Sequence, residues 1–106
     1  MVDPWMRSVV LTNANENYNL YDLMKALDKG APERGTKVQL QAPDQPFSGI
    51  VYIGNQQLTA TDYGVFLFAT QAFSIELGQL NVIYFKMIFL RSTQASTRIG
   101  VTAVQR

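Results

Sequence analysis

Nucleophilic or acid–base chemistry in this chain would have to be built from five serines, Ser8, Ser48, Ser74, Ser92 and Ser96, and from eight carboxylates. A serine nucleophile needs a neighbouring base, most often histidine, and the 106 residues contain neither His nor Cys. None of the five serines stands in a Gly-x-Ser-x-Gly turn. Gly30 and Gly35 bracket Pro32 and Glu33 and are not followed by the Gly-Lys-Ser/Thr ending of a phosphate loop. The commonest general base, the thiol nucleophile and the usual zinc ligands are all missing.

The carboxylates offer little more. Asp22 and Asp28 sit six residues apart on a predicted helix, a spacing that builds no shared metal or acid–base geometry. Asp44, Asp62 and Glu76 lack the dense oxygen-ligand spacing of a calcium loop, and Asp44 and Asp62 fit turns. The sequence therefore points away from an enzyme, with no metal and no cofactor expected. Tyr52, Tyr63, Phe66, Phe68, Phe73, Tyr84, Phe85 and Phe89 could stack on bases or sugars, but their strand context favours core or subunit packing.

These side chains must be positioned by a single domain, since the length allows one core. Only 16% of residues are charged, against 47% hydrophobic, so the surface is expected to be polar and uncharged, or covered by partners. A net charge of +1 without cationic clusters argues against a nucleic-acid partner. The start of the chain lacks the order of a secretory signal, and its longest apolar stretch, Leu80 to Leu90, is interrupted by Lys86 and too short to span a bilayer. The expectation is a protein without a membrane partner, made in the cytoplasm.

Alternation predicts a strand over residues 5–12 and a loop over Asn13 to Asn17. Leu20, Leu23, Met24 and Leu27 fall at helical spacing, with Asn19 placed to cap the helix and Gly30-Ala31-Pro32 to stop it. From Thr36 the period becomes two: Val38, Leu40 and Ala42 share a face, and Ile50 to Ile53 resumes extended structure after Pro43-Asp44-Gln45-Pro46. Gly54-Asn55 suggests a tight hairpin into Gln57 to Ala60, followed by strands Val65 to Phe68 and Phe73 to Leu77 and a break at Gly78-Gln79. Leu80 to Leu90 carries apolar residues at both parities, the mark of a strand covered on both faces. Met87 to Arg91 and Thr97 to Val104 read as a final hairpin.

Five segments, Lys37-Val38-Gln39-Leu40-Gln41-Ala42, Val51-Tyr52-Ile53-Gly54, Gly64-Val65-Phe66-Leu67, Met87-Ile88-Phe89-Leu90-Arg91-Ser92 and Ile99-Gly100-Val101-Thr102-Ala103-Val104, together resemble the small β-domain virion proteins of tailed bacteriophages. The resemblance covers roughly residues 36–104. It implies a jelly-roll protein that decorates or cements capsids, or one that forms a head fibre, baseplate or tail part.

The expectations are then a mainly β fold, an antiparallel β-sandwich or jelly roll of about eight short strands with one short N-terminal amphipathic helix. Residues 1–35 would form an arm and helix, and residues 36–106 the β domain. The resemblance implies a phage-head location and the major capsid protein as partner, with a carbohydrate-binding β-sandwich module as the alternative from another class. A homo-oligomer, a trimer, is expected to meet through Val82, Tyr84, Phe85, Met87 and Phe89, and a partner through Trp5, Leu20, Leu23, Met24 and Leu27.

Overall fold

The computed structural model describes residues 4–55, 58, 59, 61–76 and 82–104. Period-two burial builds most of it. In β1 (Trp5–Leu11) Val9 and Leu11 are buried, in β4 (Lys37–Gln41) Val38 and Leu40, and in β10 (Thr97–Val104) Thr97, Ile99, Val101 and Ala103. With β7 (Ala72–Glu76) these strands form an antiparallel sheet in the order β1-β10-β4-β7. A second antiparallel sheet has the order β2-β9-β5-β6, from β2 (Tyr18–Asn19), β5 (Val51–Gly54), β6 (Val65–Leu67) and β9 (Phe89–Ser92). Val51, Ile53, Leu67 and Leu90 of this sheet join the buried residues of the first in one core.

A two-stranded ribbon of β3 (Arg34–Gly35) and β8 (Ile83–Tyr84) completes a simple rule of pairing. The first strand pairs with the last, the second with the ninth, the third with the eighth, the fourth with the seventh and the fifth with the sixth. The chain is thus one long antiparallel ribbon, folded over so that β10 also pairs with β4 and β5 with β9.

Helix α1 (Leu20–Leu27) begins where the sequence placed its cap: Asn19 Oδ1 accepts from the Asp22 N–H at 3.2 Å. The same side chain donates through Nδ2 to Lys86 O at 2.6 Å, tying the helix start to a 3₁₀ turn at Phe85–Met87. Leu20 and Met24, four apart and so on one face, are fully buried. At the far end the Trp5 indole N–H donates to Asp28 Oδ2 at 2.9 Å and Arg7 Nη1 donates to Leu27 O at 3.3 Å.

Several expectations are corrected. The helix is not N-terminal, because β1 and β2 precede it. Residues 5–35 supply three strands to the β structure, and the boundary expected near residue 35 is crossed by the full-length pairing of β1 with β10. β5 turns into no tight hairpin at Gly54-Asn55; its partner is β6, and Gln57 and Ala60 lie outside the described residues.

The apolar run from Leu80 is not one strand. The 3₁₀ turn shifts parity, so Ile83 before it, Phe85 at its start and Ile88 and Leu90 after it all face the core. Leu77, Gly78, Gln79, Leu80 and Asn81 lie outside the described residues. The expected final hairpin is instead a crossing between sheets, since β9 belongs to the second and β10 to the first. Its bend is closed by buried hydroxyls: Ser92 Oγ and Thr97 Oγ1 lie 2.6 Å apart, and Thr97 Oγ1 donates to Gln94 O at 2.7 Å.

Candidate docking surface

Because Val51, Ile53 and Leu67 point inward, Tyr52 of β5 and Phe66 of β6 point outward, and they are direct cross-strand partners. Tyr63, just before β6, and Phe68, just after it, extend them into a row of four rings. Tyr52 and Tyr63 lie 4.7 Å apart between centroids, Tyr63 and Phe66 5.8 Å, and Phe66 and Phe68 5.5 Å. The last two contacts are edge-to-face, at 88° and 80°. Such contacts stabilise the arrangement by about 0.5–1.5 kcal/mol each. Phe66, on the outermost strand of its sheet, remains 45% exposed, and Phe68, just beyond that strand, 49%. Apolar ring surface left in water gains roughly 25 cal/mol for every Å² that a partner covers.

Leu58 lies beside Tyr63 at the turn that leads into β6. Its side chain is buried against Gly54, where a Cβ would meet Leu58 Cδ2 at 2.6 Å, so a larger residue there would have to displace the leucine methyl. Asn17 Nδ2 donates to Leu58 O at 3.0 Å, Asn17 Oδ1 accepts from Leu58 N at 2.9 Å, and Arg91 Nη1 donates to Leu58 O at 3.2 Å. Beyond Leu58, Thr59 Oγ1 accepts from Asp62 N at 2.9 Å and Gly64 N donates to Ile53 O at 2.9 Å, which returns the chain to β6 with Tyr63 over Tyr52. Asn17 itself leaves a loop in which Asn13 and Tyr18 both donate to Glu16, and those hydrogen bonds hold the Glu16 carboxyl below its ordinary pKa.

The expected contact residues separate into two groups. Phe85 is fully buried beneath the 3₁₀ turn, and Leu20 and Met24 are fully buried beneath the helix, so these three serve the chain's own core and not a partner. The spacing identified an apolar stripe correctly, but the chain itself covers it. Val82, Tyr84 and Met87 are exposed, Met87 most at 57%, while Phe89 is half-buried. Trp5 and Leu23 are half-buried against the core, and Leu27 is exposed.

Of the sequence's aromatic set, Phe73 is half-buried against the core, whereas Tyr63, Phe66, Phe68 and Tyr84 reach solvent. Sequence reasoning missed Asn17, Leu58 and Arg91. The available signal was that Leu58 is the only large apolar residue between Ile53 and Tyr63.

Among the described residues no three carboxylates come together, and Ser92 is bound into the sheet crossing. No described helix is long and apolar enough to cross a membrane. In comparisons with known proteins, no family model, curated protein or solved structure matches the chain.

Proposed function

We propose that this chain is a non-enzymatic structural protein of a tailed-phage virion, a decoration or cement protein that binds the assembled head and stabilises it. The observation that carries the reading is the row of mutually packed rings Tyr52, Tyr63, Phe66 and Phe68, of which the last three are exposed beside the edge strand of a sheet. Rings already held in their bound positions lose little entropy on docking, and aromatic anchors dominate interface energetics. Rings turned nearly at right angles present ridges and clefts for interdigitating protein side chains, and not the flat platform that bases or sugars stack on.

The finer fold reading, an eight-stranded jelly-roll sandwich, is supported by strand order. With the short β3·β8 ribbon set aside, the orders β1-β10-β4-β7 and β2-β9-β5-β6 are those of an antiparallel ribbon rolled into two facing sheets. In this reading the row docks on the major capsid protein. Val82, Tyr84 and Met87 form the contact between subunits of a homotrimer, and the protein resides on the phage head and binds no nucleic acid. A ligand that binds the shell lattice and not its dissociated subunits stabilises it by RT ln(1 + [L]/Kd), so cementing requires affinity and no chemistry.

The deciding experiment is the temperature at which DNA-filled heads rupture with and without saturating protein. A higher rupture temperature with the protein bound supports cementing. Equal temperatures, or a location confined to the tail in labelled particles, overturn it and favour the tail, baseplate or head-fibre role.

A further inference from the structure

We infer that the apolar cavity between the two sheets, beside strands β6 and β7, binds a small uncharged molecule built on a single aromatic ring. β6 and β7 are the outer strands of different sheets, so they are not paired with each other. The turn that joins them is closed by Gln71 N donating to Phe68 O at 3.2 Å and by Phe68 N donating to Gln71 Oε1 at 2.8 Å. On one side the cross-strand partners Ile53 and Val65 form the wall. On the other stand Phe73 and Ile75, two residues apart on β7 and so on one face. Ile88, just past the 3₁₀ turn, completes a cavity of about 160 Å³.

Size and lining together choose the occupant. An engineered apolar cavity of about 150 Å³ walled by Leu, Ile and Phe stays dry and takes up benzene. Sites for larger ligands such as nucleotides or drug-sized compounds run to roughly 300–1,000 Å³, so these do not fit. No wall residue is charged, and Asn55, exposed at the margin, supplies the only polar side chain. An ionised ligand would lose its hydration there with nothing to replace it. The Phe73 ring offers an aromatic guest an edge or a face, which an aliphatic guest of equal volume cannot use.

The protein side of the contact is also unfinished. Val65, Phe73 and Ile75 pack against the core yet remain only half-buried, so a guest removes from water apolar surface that the fold leaves wet. A molecule touching both outer strands binds the folded state alone and therefore stabilises it by mass action. Val65 and Phe66 alternate along β6, which places the cavity and the exposed ring row on opposite faces of that strand. The inference is thus independent of the capsid-docking reading, and either can fail without the other.

Titration of the isolated full chain with benzene and toluene, followed by methyl NMR, tests the inference. The methyl signals of Ile53, Val65, Ile75 and Ile88 are expected to shift saturably, with a Kd at or below about 5 mM, and to show NOEs to the bound ring. The melting temperature should rise with ligand concentration, and benzoate, which carries the same ring with a charge, should bind at least about tenfold more weakly. Val65→Phe places a ring in the cavity and should weaken benzene binding at least about tenfold; Ile75→Phe takes its place should that variant not fold. The NOEs in the wild type locate the guest whatever the variants do. The inference is overturned by the absence of saturable shifts in these methyl groups, by NOEs to Tyr63, Phe66 and Phe68 instead, by benzoate binding as tightly as benzene, or by undiminished binding in a folded variant. Tighter binding of N-acetylphenylalaninamide than of toluene would show that the cavity receives a protein side chain, and would overturn the small-molecule assignment.

Discussion

The side-chain amide of Asn17 brackets the backbone of Leu58, donating to its carbonyl at 3.0 Å and accepting from its N–H at 2.9 Å, across 41 residues of sequence. One amide thus reproduces the two bonds of a cross-strand pair. It fixes the chain that leads to Tyr63, and so links a polar loop near the start of the sequence to the exposed rings.

Asn17→Ala is therefore expected to destabilise the fold by roughly 1–3 kcal/mol, because the Leu58 N–H loses its partner and the Leu58 carbonyl keeps only Arg91. Asn17→Asp retains the acceptor and loses the donor, so it should fall between wild type and alanine. Urea unfolding gives the stabilities. Ring signals of Tyr63 that stay as resolved in Asn17→Ala as in the wild type would disprove the clamp.

Replacement of Phe66 and Phe68 by Ser should separate docking from folding. Both rings are nearly half exposed, so the loss of their two edge-to-face contacts should cost about 1–3 kcal/mol of stability and leave the chain folded, whereas loss of aromatic anchors typically costs at least about 2 kcal/mol in affinity, roughly thirtyfold. Binding of the double variant to phage shells, measured beside its melting temperature, checks this. A large drop in melting temperature with shell affinity unchanged would assign the rings to the fold instead.

Local signals were legible and parity shifts were not. Val38, Leu40 and Ala42 alternate and are buried as the sequence predicts, and Asn19 caps the helix it precedes. Both follow from short-range rules of period and side-chain hydrogen bonding. The run from Ile83 to Leu90 misled because a single 3₁₀ turn exchanges the inward parity, which imitates a strand buried on both faces. Ser92 to Ser96 has the polar composition of a hairpin turn, yet the choice between turning back and crossing to the other sheet is made by distant pairing, β1 and β4 taking β10. Rings at residues 52, 63, 66 and 68 were visible as a set, but their meeting in one row depends on the register of β5 with β6, which no spacing rule gives.

Met24→Ala should destabilise the protein by about 2–5 kcal/mol, the range for emptying a buried site, while Leu27→Ser on the exposed side of the same helix should stay within about 0.5 kcal/mol. A chain beginning at Gly35 loses β1, β2, β3 in part and the helix, and is expected not to fold. Denaturant midpoints for the two variants and a circular-dichroism melt of the truncation provide the checks. A cooperative melt of the truncated chain would show that residues 1–34 are an appendage after all.

Trp5 and Asp28 supply a pH reporter. The indole N–H donates to Asp28 Oδ2 at 2.9 Å, and this bond is the largest cause holding the Asp28 carboxyl below its ordinary pKa, followed by the Gly30 N–H and more weakly by the charge of Arg7. A depressed folded-state pKa means that the ionised carboxylate favours folding. Its contribution is complete above the unfolded carboxyl pKa of about 4 and is lost as pH falls through the lower folded value. Because the group is at the surface, the effect should be small and best followed locally. Trp5 is the only tryptophan, so its fluorescence should titrate with a midpoint below that of an ordinary aspartate, and Asp28→Asn should abolish the titration. The stability difference between wild type and Asp28→Asn should accordingly be present at neutral pH and shrink below about pH 4. A difference that instead grew on acidification, or a Trp5 titration that survived Asp28→Asn, would mean that another group governs this contact between β1 and the helix end.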